Sequence, residues 1–284
     1  MVTNLGRVWG ISANDVWVAG TLRDASGRAL GGKVIHWTGG FGSAPAISPT
    51  VAVAGGVWAS SRNDVWRVGG DSTGSATDHW DGSTWSSSHV DGWGLNGIWG
   101  SAGNDVWEVG YRNQTGSMFH WTSGFPGGPG TPYGVAGTDF LYAVWGSGSG
   151  DVWVAGTSGA FGAAAHFNGT ALAAASFPGT ANLSGVWGTR ADDVWMVGSN
   201  GSQGVAVHFT SPWPTDATPS PSIVPIDGTS LLEGVWASAH NDVWAVGYNA
   251  AGATIVRWNG VAWSQMMTFG GATSGLVGIW GVSE

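Results

Sequence analysis

Cysteine is absent from the 284 residues, which excludes disulfide staples and thiolate metal centres. Charge is scarce. Asp, Glu, Lys and Arg make up 10% of the chain, and the formal net charge is −9. The few Lys and Arg residues nowhere cluster. Phosphate backbones and anionic membranes need clustered cations, so both are excluded as partners. No stretch approaches the ~20 apolar residues of a membrane-spanning helix. No apolar run follows Met1 in "MVTNLGRVWG", so no signal peptide is read. The compartment stays open, with an extracellular or cell-envelope location favoured if a leader has been removed. Helical periodicity is missing too, because 51 Gly and 11 Pro leave no long 3.6-residue pattern. There is no P-loop, no nucleophile elbow and no metal-ligand spacing. Neither a cofactor nor a metal is expected.

Tryptophan is what the chain has in excess, with 21 residues against 4 tyrosines. Most fall in one repeated phrase, as in "GVWASAHNDVWAVG" at 234–247. A leading Trp recurs at Trp9, Trp58, Trp99, Trp145, Trp187, Trp236 and Trp280. A second follows eight residues later, at Trp17, Trp66, Trp107, Trp153, Trp195 and Trp244. Successive leading Trps are 49, 41, 46, 42, 49 and 44 residues apart, the length of a four-stranded propeller blade. Further along each repeat comes an aromatic, preceded by His36, His79, His120, His166 and His208, and by Arg257 in the last copy.

The segments between these anchors read as four short strands per repeat, A to D. "GVWAS" is apolar, "DVWAVG" and "TIVRWNG" alternate, and "WSSSHV" is polar. Every proline falls after a C strand, where a missing N–H does not interrupt a buried ladder. The A–B connection ends on Asp15, Asp64, Asp105, Asp151, Asp193 or Asp242, residues suited to bracing a turn.

The pattern VWGSxxNDVWxVG…HWDGxxW resembles bacterial Trp-rich β-propeller repeats, of kelch, galactose-oxidase-like and Asp-box type. "WDGSTW" (80–85) and "WNGVAW" (258–263) carry it best, and "HFTSPW" (208–213) poorly. The resemblance implies an all-β, six-bladed propeller spanning residues 1–284 as one domain. It implies no particular activity, since such folds host lectins, enzymes and scaffolds. Seven leading Trps serve six "DVW" phrases, and "LVGIWGVSE" repeats the start of the chain. The two termini are therefore expected to meet in one blade.

The in-register Trps read as packing between blades, and the His residues as structural, each satisfied by an Asp or backbone bond. Arg67 and Glu108 share one B-strand position in adjacent repeats, which suggests a cross-blade ion pair. Binding is expected on the face whose loops vary in length, B–C and D–A. That face holds Asp24, Asp71, Asp91, Trp93, Tyr111, Arg112, Tyr133, Asp139 and Tyr248. Carboxylates beside exposed rings suit a glycan. The reading is a monomeric, non-catalytic, lectin-like binding module with a glycan or protein partner. A protein-interaction scaffold and a glycan-active enzyme are the alternatives.

Overall fold

The computed structural model describes residues 2–24, 26, 28–39, 46–47, 53–70, 74–128, 130, 132–214, 218–271 and 275–282. Six antiparallel four-stranded sheets follow one another along the chain, each contiguous in sequence. Blade 1 comprises β1 (Val2–Ser12), β2 (Asp15–Arg23), β3 (Ala29–Trp37) and β4 (Ala46–Ile47). Blade 2 comprises β5 (Val53–Ser61), β6 (Asp64–Gly70), β7 (Gly74–Trp80) and β8 (Trp85–Asp91). Blade 3 comprises β9 (Gly94–Ala102), β10 (Asp105–Arg112), β11 (Thr115–Trp121) and β12 (Tyr133–Gly134). Blade 4 comprises β13 (Phe140–Gly148), β14 (Asp151–Ser158), β15 (Phe161–Phe167) and β16 (Leu172–Phe177). Blade 5 comprises β17 (Asn182–Arg190), β18 (Asp193–Ser199), β19 (Gly204–Phe209) and β20 (Ser222–Pro225). Blade 6 comprises β21 (Leu231–Ala239), β22 (Asp242–Asn249), β23 (Gly252–Trp258) and β24 (Trp263–Phe269). This is the architecture of a six-bladed β-propeller, with no helix among the described residues. The chain divides into two compact units, Met1–Gly134 with blades 1 to 3 and Val135–Glu284 with blades 4 to 6.

The eight-residue Trp spacing is a pairing register. In every blade the two Trps stand directly opposite each other, from Trp9 and Trp17 in blade 1 to Trp236 and Trp244 in blade 6. The second Trp in turn faces the His of strand C, or Arg257 in blade 6. Directly paired residues share a sheet face, so Trp, Trp and His form a row across three strands.

Rows pack against the segment that follows within the same unit, the next blade for Trp58 and Trp145 and residues 275–282 for Trp236. Trp58 lies against Gly100, Trp145 against Gly188 and Trp236 against Gly281, where a methyl group would collide with the indole. That explains the "WG" in the phrase. Trp9 Nε1 donates to the Ala59 carbonyl at 3.0 Å, and Trp187 Nε1 to the Ala237 carbonyl at 3.2 Å. Burying one Trp removes about 200 Å² from water, about 5 kcal/mol gross. The glycine that ends strand B has a separate cause. Strand A carries a bulge there, between Leu141 and Ala143 in blade 4. A methyl group on Gly110, Gly156, Gly198 or Gly247 would overlap the carbonyl oxygen of Gly94, Phe140, Asn182 or Leu231.

Strand order does not show the blade shared between the termini. Blade 1 is completed by its own β1, paired with β2 from Val2 to Ser12. Residues 275–282 form no strand, but lie beside β21 and β22. Gly234 faces the Val277 carbonyl, and the Leu276 N–H donates to the Gly247 carbonyl at 3.1 Å. The outer strands differ most. β4 and β12 are two residues long, while β24 has seven and exposes Met266, Met267 and Phe269.

Candidate functional site

The A–B turn builds a polar centre in each blade. His36 Nε2 lies 2.7 Å from Asp15 Oδ1, His79 2.7 Å from Asp64, His120 2.5 Å from Asp105, His166 2.6 Å from Asp151 and His208 2.8 Å from Asp193. In blade 6, Arg257 Nε donates to Asp242 Oδ1 at 2.7 Å. In blades 2 to 6 the residue four before the Asp adds a hydroxyl to Oδ2, as Ser60 does for Asp64 and Ser147 for Asp151. In four of the blades, burial alone would raise the carboxyl. The converging donors outweigh it and hold Asp64, Asp151, Asp193 and Asp242 below the ordinary value.

The second Trp takes one of two poses in this centre. Trp66, Trp153 and Trp244 donate Nε1–H to Asp64, Asp151 and Asp242 at 2.9, 3.2 and 3.0 Å. Trp17, Trp107 and Trp195 instead lie flat on His36, His120 and His208, at 3.5, 3.8 and 3.6 Å between ring centres. Two of the flat-lying blades gain a partner from the following blade. Arg62, in the A–B turn of blade 2, reaches Asp15 Oδ2 with Nη2 at 3.1 Å. His240, in the A–B turn of blade 6, reaches Asp193 Oδ1 with Nδ1 at 3.0 Å. Both lie 47 residues beyond their Asp. Burial pushes the pKa of His208 down even beside Asp193, which favours the neutral imidazole.

Between blades 1 and 2 this arrangement opens into a cleft of about 630 Å³. Trp17, Trp80 and Trp85 form apolar walls, and Arg62, Asn63, Ser83 and Thr84 supply polar groups at the rim. The rim includes a C–D turn that needs its glycine, since Gly82 has φ +94°. Asp81 Oδ1 accepts the N–H groups of Thr84 and Ser83, each at 2.8 Å. Those bonds, Thr84 first, hold the Asp81 carboxyl far below the usual range. Asn168 and Asn259 brace the corresponding turns of blades 4 and 6 in the same way.

The cross-blade ion pair expected between Arg67 and Glu108 is not among the ion pairs of the described residues. Arg67 pairs with Asp78, directly opposite it on β7. Glu108 faces Phe119 on β11 and lies fully buried. Its Oε1 accepts from Thr77 Oγ1 of blade 2 at 2.8 Å and from Trp121 Nε1 at 2.9 Å. Oε2 has no partner. Desolvation pushes this carboxyl up to about 7 against those two bonds.

The cleft opens at the A–B and C–D turns, on the edge opposite the variable loops. Of the residues expected on those loops, Trp93, Arg112 and Tyr111 come together. The Arg112 guanidinium lies 5.1 Å from the Trp93 ring centre, Tyr111 crowds Gly94, and Asp91 ends the adjoining β8. Asp24 closes its own turn, accepting the N–H groups of Ser26 and Arg28 at 2.9 and 3.0 Å. Asp139 accepts the Gly159 N–H at 2.7 Å. Tyr133 belongs to β12 rather than a loop, with its ring 6.0 Å from Trp107. Tyr248 is partly exposed beside Gly275. Asp71 lies outside the described residues. The sequence reading passed over Arg62, Asn63, Ser83 and Thr84 as site residues. Arg62 carried the one available signal, a cation in a turn position held by Ala13, Gly103, Ser149 or Ala191 in four other repeats.

No family model matches the chain, and no curated protein matches it. Solved structures do match in fold. A streptogramin B lyase structure aligns with TM-score 0.64 at 14% identity, over 95% of this chain and 85% of that one. YCF48 bound to D1 peptide aligns with TM-score 0.60 at 14% identity, over 93% and 80%. The fucose-recognising, six-bladed fungal lectin of Aleuria aurantia aligns with TM-score 0.56 at 13% identity, over 95% and 96%. Similarity at this level extends to the propeller fold, and the kelch or Asp-box resemblance gains no support from a family match.

Proposed function

We propose that the chain is a non-catalytic binding module that takes a neutral sugar in the cleft between blades 1 and 2. The carrying observation is the pairing of three tryptophan walls with a rim of Arg62, Asn63, Ser83 and Thr84. Indole faces suit the C–H face of a sugar ring, and the rim suits its hydroxyls. The volume falls within the usual range of small-molecule sites. Arg62 is already paired with Asp15, so a neutral ring fits better than an acidic one. Among the described residues lining the cleft there is no carboxylate, whereas glycoside hydrolysis uses two. The lectin among the fold neighbours is consistent with this reading.

A glycan array followed by calorimetry tests it. Binding without turnover is expected, lost in Trp85→Ala and weakened in Arg62→Ala. Retention of full binding in Trp85→Ala refutes the cleft. If Trp93→Ala or Arg112→Ala removes binding instead, the variable loops carry the function. A protein partner is the second reading, favoured by the exposed edge of β24, since an open edge strand can accept an added strand.

A further inference from the structure

We propose that Asp193, His208 and His240 form a binding site for a borderline divalent transition metal, zinc first. Two imidazole nitrogens converge on one carboxylate oxygen. His208 Nε2 is 2.8 Å and His240 Nδ1 3.0 Å from Asp193 Oδ1, and the three donor atoms lie within 4.8 Å of one another. Around zinc, with bonds of about 2.0–2.1 Å, tetrahedral ligand atoms stand about 3.3 Å apart. A small outward adjustment of the donors therefore makes room for the ion. Two nitrogens and one oxygen suit zinc, nickel or copper, whereas calcium and magnesium take oxygen ligands.

The surroundings hold two of the ligands in place. Thr189 Oγ1 bonds the other oxygen of Asp193. Trp195 lies flat on the His208 ring, 3.6 Å away and 10° from parallel. Such supporting contacts orient metal ligands. The third ligand, His240, has a side chain 60% exposed. It gives the ion a route from solvent and leaves a coordination position for water.

The other blades act as internal controls. All five Asp–His pairs share the same geometry, and among the described residues only Asp193 has a second imidazole. Asp15 has Arg62 in the corresponding place. The bland account of His240 is that it substitutes for that arginine as a hydrogen-bond donor. Arginine can fill the donor role and cannot ligate a metal, so one substitution separates the two accounts.

The experiment titrates the untagged chain with zinc chloride by calorimetry and with cobalt(II) by visible absorption. One equivalent per chain is expected, with the strong absorption of low-coordinate cobalt. His240→Arg should weaken zinc binding about tenfold or more while leaving the metal-free thermal midpoint unchanged. His240→Ala should lose binding equally. The proposal is overturned if the parent chain binds neither ion saturably, or if His240→Arg binds zinc with the same stoichiometry and affinity.

Discussion

Glu108 makes the interior between blades 2 and 3 sensitive to pH. Its ordinary value of 4.5 rises to about 7 in the fold, so the folded chain holds this proton more tightly than the unfolded chain does. Below about 4.5 both states are protonated and the site carries no penalty. Above about 7 both are ionised, and the folded state bears the full cost of a desolvated carboxylate. Stability is therefore lost as pH rises between those values, by about 3 kcal/mol. Glu108→Gln copies the protonated form. Its carbonyl can still accept from Thr77 and Trp121, and its amide takes the place of the oxygen that has no partner. Urea unfolding of both chains at about pH 5 and about pH 8 reads the effect, because the midpoint tracks stability. The variant should match the parent near pH 5 and exceed it by about 3 kcal/mol near pH 8. Comparing the two chains at each pH cancels the titration of every group they share. A difference that stays constant across that window refutes the reasoning.

Three further outcomes are expected. Arg67→Met strands the buried carboxylate of Asp78 and should cost about 3–5 kcal/mol in urea unfolding, with most of it recovered by adding Asp78→Leu. Gly156→Ala drives a methyl into the Phe140 carbonyl and should cost about 3 kcal/mol by thermal unfolding, whereas Gly148→Ala, with open space around it, should cost far less. Asp151 is held below its ordinary 3.8, so its stabilising effect is complete above that value and fades as pH falls through the lower folded one. Asp151→Asn should accordingly shrink the drop in thermal midpoint on acidification below about pH 4.

The blades were legible because a constant eight-residue spacing is what an antiparallel pair of facing tryptophans imposes on a chain. The Asp and His positions were legible as a repeated pair for the same reason. The cleft was not. Loop length, the sequence's guide to the ligand face, measures how much backbone a connection contains. The cleft instead depends on side-chain reach from a turn of constant length, where Arg62 extends to the preceding blade and Ala13 or Ala191 cannot. The buried charges were misread by treating equal positions in neighbouring blades as facing partners. Arg67 meets Asp78 because a hairpin sets them opposite each other, and that register could be counted from the sequence. Glu108 has Phe119 opposite it, and its hydrogen-bond donors come from a neighbouring blade and a more distant residue of its own, which no local count reveals.

β24 ends its sheet with a seven-residue edge that bares two methionines and a phenylalanine. With one residue in ten Asp, Glu, Lys or Arg and an isoelectric point near 5.0, mutual repulsion between molecules rests on a modest surplus of carboxylates. That surplus vanishes in mildly acidic buffer, where an unguarded strand edge is free to join a second one. Reversible clouding is therefore expected to begin near the isoelectric point while every blade is still folded. Met267→Lys should delay it without touching the cleft between blades 1 and 2.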